Sequence, residues 1–156
     1  MTVRLDKGNV MELPPDKSEF YDVSLGTKCN ACCPWCYVSA TDSGEMYENI
    51  CETWKKWMSL YQDKYDEKGN LLTVKPLQIA IGSEGEPTIS DELCNFLKTV
   101  YETDVVPNYT TNGIILSYWN KPGSKYYEKA NQILASTSLY CGGVAVSFGN
   151  KALRPY

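Results

Sequence analysis

Four of the seven cysteines in this 156-residue chain fall between Cys29 and Cys36, in the run KCNACCPWCYV. Thiols packed this tightly can ligate a metal or cluster or pair as disulfides, and each use has its own spacing. The cysteine count is odd, and the N-terminal stretch MTVRLDKGNVMELPPDKSEF lacks the apolar core of a signal peptide. Both features point to the reducing cytoplasm, where metal or redox use displaces a disulfide framework. A structural zinc site usually faces two Cys-x-x-Cys pairs across about a dozen residues or more. Here Cys29/Cys32 and Cys33/Cys36 abut, and the side chains of neighbours Cys32 and Cys33 diverge. One tetrahedral ion is poorly served by that arrangement.

An iron–sulfur cluster is served better. Cys29, Cys33 and Cys36 form C-x3-C-x2-C, a short loop that wraps three corners of a cubane. A [4Fe–4S] cluster normally takes four thiolates. Three would leave one iron without a protein ligand, and an open position is what a catalytic metal needs. Cys32 supplies a second triplet, Cys29, Cys32 and Cys36, and spacing alone does not choose between the two.

Composition removes several competing chemistries. With no histidine, Ser-His-Asp and Cys-His nucleophiles, His-ligated zinc and histidine proton shuttles are all excluded. Neither a phosphate-binding loop ending in Gly-Lys-Ser/Thr nor G-x-G-x-x-G occurs. A net charge of -4 gives no clear nucleic-acid face, since phosphate binding needs clustered Lys and Arg. No stretch approaches the ~18 apolar residues of a membrane helix. The chemistry must rest on cysteine, carboxylates, backbone groups or a cofactor.

The elements that position the cysteines read as alternating strands and helices. FYDVSL, Phe20 to Leu25, is a strand ending at the cysteine run. Met46, Ile50, Trp54, Trp57, Met58 and Tyr61 recur at helical spacing, predicting a helix over Glu45 to Tyr61 with Asp42 and Ser43 as caps. A polar turn around Gly69-Asn70 leads to a buried strand, Leu77 to Ile81. TISDELCNFLKTVYE predicts a second helix capped by Thr88 or Ser90, and VVPNYTT a third strand. SKYYEKANQILAS predicts a third helix, and Val144 to Phe148 a fourth strand. Such alternation implies a parallel sheet whose sites gather at the C-terminal strand ends. Each strand here runs into a suggestive segment: KCNACCPWC, GSEGEPT, TNG and SFGN. Cys51, Cys94 and Cys141 read as ordinary buried thiols.

Those four segments, in that order, resemble the radical S-adenosylmethionine (SAM) enzymes. The family carries C-x3-C-x2-C after its first strand, with an aromatic residue before the last cysteine, the place of Trp35. The resemblance selects Cys29, Cys33 and Cys36 as cluster ligands and leaves Cys32 as a spare thiol. The family's Gly-Gly-Glu segment, which contacts the methionine amino group of SAM, is matched by Gly85, Glu86 and Pro87, with Glu84 in place of the first glycine. Thr110 to Gly113 looks like the third-strand ending and VAVSFGN like the fourth, where Ser147 would lie near the ribose or carboxylate. By this resemblance Trp35 packs near the adenine, Glu84 to Pro87 hold the methionine end, and Asn112 and Ser147 line the pocket.

The resemblance implies an α/β fold: a partial (βα) barrel of about four parallel strands with flanking helices. Residues 1–19 form an N-terminal extension and residues 20–156 a core-like domain, short at its C-terminus against the family's six units. It implies a [4Fe–4S] cluster, SAM, and a reductant such as flavodoxin or ferredoxin. The activity would be reductive cleavage of SAM to a 5'-deoxyadenosyl radical that abstracts hydrogen from substrate. The frame of Asn30 and Tyr37 around the cysteines is similar to that of peptide- and protein-modifying members. The short C-terminus leaves an open sheet edge, for which a partner chain is one cover. Two other readings are carried forward: a non-catalytic iron–sulfur electron-transfer or binding module, and a truncated, inactive fragment of such an enzyme.

Overall fold

The computed structural model describes residues 2–4, 20–59, 65–70 and 75–147. Five strands form one sheet in chain order: β1 (Thr2–Arg4), β2 (Phe20–Ser24), β3 (Gln78–Ile81), β4 (Val106–Thr111) and β5 (Gly143–Val146). Every neighbouring pair is parallel, with Val23 beside Ile81, Ile81 beside Tyr109, and Tyr109 beside Val144. Among the described residues, three helices connect β2 through β5: α1 (Ile50–Ser59), α2 (Leu93–Tyr101) and α3 (Tyr127–Tyr140). The expected parallel α/β architecture is therefore present. Its first strand is an addition, drawn from the segment expected to be a leading extension.

The period-two pattern of the strands decides where the core lies. Tyr21, Val23, Ile79, Ile81 and Tyr109 alternate onto one face, and each is at most 2% exposed. Against them pack Ile50, Trp54 and Trp57 of α1, Leu93, Phe96, Leu97 and Val100 of α2, and Ala130 and Ile133 of α3. The α2 positions follow i, i+3, i+4, i+7, so one stripe of the helix supplies all of them. α2 touches both α1 and α3. Aromatic edges lock the centre: Tyr21 meets Trp57 at 5.4 Å, Trp57 meets Trp54 at 5.2 Å, and Trp54 meets Phe96 at 6.0 Å. The buried Trp54 indole N–H finds Thr103 Oγ1 at 3.0 Å, so no polar group is lost there.

A proline inside a central strand would normally cost a ladder bond. Pro107 avoids that cost. Its carbonyl accepts Gly142 N at 3.0 Å on the β5 side, so its missing N–H also faces that side. Pairing of β4 with β5 begins only at Asn108.

Two element boundaries depart from expectation. The first helix starts at Ile50, not Glu45, because Glu45 to Tyr47 are taken by an extended pairing with the end of β2. Thr27 N donates to Glu45 O and Tyr47 N to Leu25 O, both at 2.9 Å, and Asn49 then turns the chain at φ 58. Asp42 and Ser43 lie in a turn ahead of that pairing and cap no helix; Tyr61 lies outside the described residues. The second helix is split: Pro87–Ile89 forms a 3-10 turn, and Ser90 Oγ accepts Glu92 N at 3.2 Å before α2 begins. α3 runs four residues beyond the predicted Ser136, and Phe148 falls outside the described residues. The turn at Gly69-Asn70 is present, with Asp66 Oδ1 accepting Asn70 N at 2.7 Å.

Candidate functional site

The cysteine loop leaves β2 at Leu25 and is tied down at both ends. Lys28 bridges to Thr41, and Cys29 N donates to Thr41 O at 2.7 Å. Gly26 sits at φ 153, where a Cβ would fall 2.4 Å from Glu45 O, so the loop can leave the sheet only through glycine. Within the loop, Cys36 N donates to Cys33 O at 3.0 Å and Ser39 N to Cys36 O at 3.1 Å. Cys32 holds a left-handed conformation at φ 45, a backbone state that side chains other than Gly, Asn and Asp seldom adopt. Cys29, Cys33 and Cys36 are half-buried and Cys32 is exposed. A shallow hollow of about 250 Å³ is lined by Cys32, Cys33 and Cys36 with Pro34 and Ser39 to Thr41.

Burial pushes the Cys29 thiol pKa up, and the Glu86 charge adds to that; backbone N–H groups of Ala31 and Cys32 and the Asn112 amide oppose it. The donor set is soft and sulfur-only, the donor type that holds an iron–sulfur cluster. Among the described residues, no three cysteine or carboxylate side chains converge as a metal-ligand group.

The segment after β3 lies directly against this loop. A Cβ on Gly85 would sit 2.6 Å from Gly26 O and 2.7 Å from Lys28 O, so only glycine lets the two backbones approach. Glu86 N donates to Lys28 O at 2.9 Å. Two tyrosines add cross-ties: Tyr37 Oη to Ser83 O at 2.7 Å, and Tyr47 Oη to Glu84 Oε2 at 3.2 Å.

Glu86 is the organising residue. It is only 3% exposed, and a buried carboxylate survives only if its lone pairs are filled. Oε1 accepts Thr88 N at 3.1 Å, Thr88 Oγ1 at 2.5 Å and Thr111 Oγ1 at 2.6 Å; Oε2 accepts Asn112 N at 2.7 Å. Thr111 Oγ1 in turn accepts Gly113 N at 3.0 Å, with Gly113 at φ 73. From that turn Asn112 Nδ2 reaches back to Asn30 Oδ1 at 2.8 Å and to Cys29 Sγ at 3.8 Å.

The structure thus joins Cys29, Gly85, Glu86 and Asn112 in one connected patch at adjacent strand ends. Pro87 opens the buried 3-10 turn beside it. Ser147 stands farther out: its backbone N–H donates to Thr111 O at 2.8 Å, and the residue is exposed. Trp35 is 50% exposed. Sequence reasoning missed Thr88, Thr111 and Tyr47 as site residues. A carboxylate in an apolar strand-end turn must find hydroxyl or amide donors, and the threonines beside the two motifs were the signal. No protein-family model, curated protein or solved structure matches the chain.

Proposed function

We propose that the chain is a radical SAM protein: Cys29, Cys33 and Cys36 hold a [4Fe–4S] cluster whose fourth iron takes SAM. When bound, the two cofactors supply one-electron cleavage of SAM to a 5'-deoxyadenosyl radical able to abstract hydrogen from a substrate. The single observation that carries this reading is the convergence of its motifs. The cysteine loop after β2, Gly85-Glu86 after β3 and Asn112 after β4 are hydrogen-bonded to one another at one end of a parallel sheet.

In this reading each residue has a local task. The thiols of Cys29, Cys33 and Cys36 would hold the cluster, coupling its binding to the ordering of the loop. Gly85 lets the second segment reach the loop, and the backbone of Glu84 to Pro87 borders the methionine end of SAM. Asn112 and Ser147 would line the pocket wall, and Trp35 would pack near the adenine. The strand order, with each crossover stepping one place along the sheet, supports a partial barrel. A low-potential flavodoxin or ferredoxin supplies the electron, and the substrate is a peptide or protein.

The test is anaerobic reconstitution with iron and sulfide, followed by dithionite and SAM. The expected result is about four irons and four sulfides per chain and release of 5'-deoxyadenosine. A chain that holds the cluster but leaves SAM intact is an electron-transfer or binding module, and the proposal fails. A chain that takes zinc and no iron fails it more completely.

A further inference from the structure

The Asn112 side chain is oriented from two sides. Its Oδ1 accepts the Ile114 N–H at 2.9 Å, a partner that only an acceptor can face. Nδ2 must therefore point the other way, toward Asn30 Oδ1 at 2.8 Å and Cys29 Sγ at 3.8 Å. The backbone of the same residue is fixed by Glu86 Oε2, which accepts its N–H at 2.7 Å. A continuous path of bonds runs from a buried carboxylate, through the Asn112 turn, to the sulfur of one cysteine. Four donors reach the buried Glu86 carboxylate from its own turn and the next: Thr88 N, Thr88 Oγ1 and Thr111 Oγ1 at Oε1, and Asn112 N at Oε2.

An N–H donor aimed at a ligating sulfur withdraws charge from it, and hydrogen bonds to the sulfurs are among the factors that set an iron–sulfur potential. We propose, resting on the reading above, that Asn112 tunes the cluster through an N–H···S bond to Cys29, and that Glu86 is its positioning residue rather than a carboxylate that grips the ammonium of SAM. The donor stabilises the reduced cluster by spreading its added negative charge. Removing it leaves the cluster harder to reduce.

Redox titration of the reconstituted protein, followed by absorbance and electron paramagnetic resonance, tests this. Asn112→Ala should shift the reduction equilibrium toward the oxidised form by about tenfold, which is 59 mV for one electron. Asn112→Asp, which puts an acceptor where the donor stands, should shift it at least as far in the same direction. An Asn112→Ala protein with wild-type iron content and unchanged potential overturns the tuning role. Asn112→Ala keeps the backbone bond to Glu86, so the side-chain donor is read apart from its anchor.

A wild-type chain that takes up no cluster sinks the underlying reading instead. The positioning role is then decided without cofactor, by hydrogen exchange of the Asn112 amide in the apo protein. Glu86→Ala, which removes both acceptor oxygens, should speed that exchange about tenfold relative to the amides of α2; an unchanged ratio overturns the positioning role.

Discussion

At the scale of single residues, the site is built from groups that have little freedom to be anything else. Cys29 is tethered through its backbone to Thr41 and through its sulfur to Asn112, whereas Cys32 stands exposed at a left-handed turn. Under the proposed ligand set, Cys29→Ala, Cys33→Ala and Cys36→Ala should each lose the cluster, and Cys32→Ala should keep it. Iron content after reconstitution checks this, and a Cys33→Ala protein that stays brown while Cys32→Ala is colourless would reverse the assignment. Gly85→Ala forces a Cβ against two backbone carbonyls that no side-chain rotation can relieve. It should cost about 1–3 kcal/mol in urea unfolding and lower cluster retention. The thiols and the Gly85-Glu86 pair were legible as residue types at telling places. The threonine cradle of Glu86 was not, because Thr88 and Thr111 lie 23 positions apart in sequence and meet only when β3 and β4 pair.

At the scale of elements, the strands were readable because their faces differ sharply. Tyr21 and Val23 face the helices and alternate with Asp22 on the other side. The start of α1 was misread for a physical reason. Met46 and Ile50 carry helical spacing, but Glu45 to Tyr47 gain two backbone bonds by pairing with Leu25 to Thr27. A local pattern lost to a longer-range partner that no window on the sequence contains. Trp54 then sits at the meeting point of α1, α2 and the sheet, fully buried and bonded to Thr103. Trp54→Ala should cost about 3–5 kcal/mol. Trp54→Phe, which keeps most of the volume and loses only the indole donor, should cost much less. Urea denaturation midpoints of the two variants, compared at constant slope, check the ordering.

At the scale of the whole molecule, the sheet steps in one direction from β1 to β5, and among the described residues β5 has a strand on one side only. That end of the molecule also carries two groups that hold their protons more tightly than usual, the buried Tyr109 and the half-buried Cys141. Burial pushes the Tyr109 hydroxyl up to about 12 and the Cys141 thiol up to about 11, against opposing bonds from Thr137. Because both values are raised, the unfolded chain releases these protons first. Their contribution is complete below about pH 9 and is lost as pH rises through 11 and 12. Thermal melts should therefore fall over that window. Tyr109→Phe should flatten the upper part of the fall, while losing the 2.8 Å bond to Thr137 Oγ1 at every pH. The parallel α/β class was plain in the alternation of elements. The joining of β1 was not, because Thr2–Arg4 is three residues of sequence with no pattern of its own.

The central claim is that three thiols after β2 leave one cluster iron open to SAM. Electron paramagnetic resonance of the anaerobically reduced protein, recorded with and without SAM, tests it most directly. The expected result is a reduced [4Fe–4S] signal whose g-values move when SAM is added, and which keeps that response in Cys32→Ala. A cluster signal that SAM leaves unaltered would contradict it.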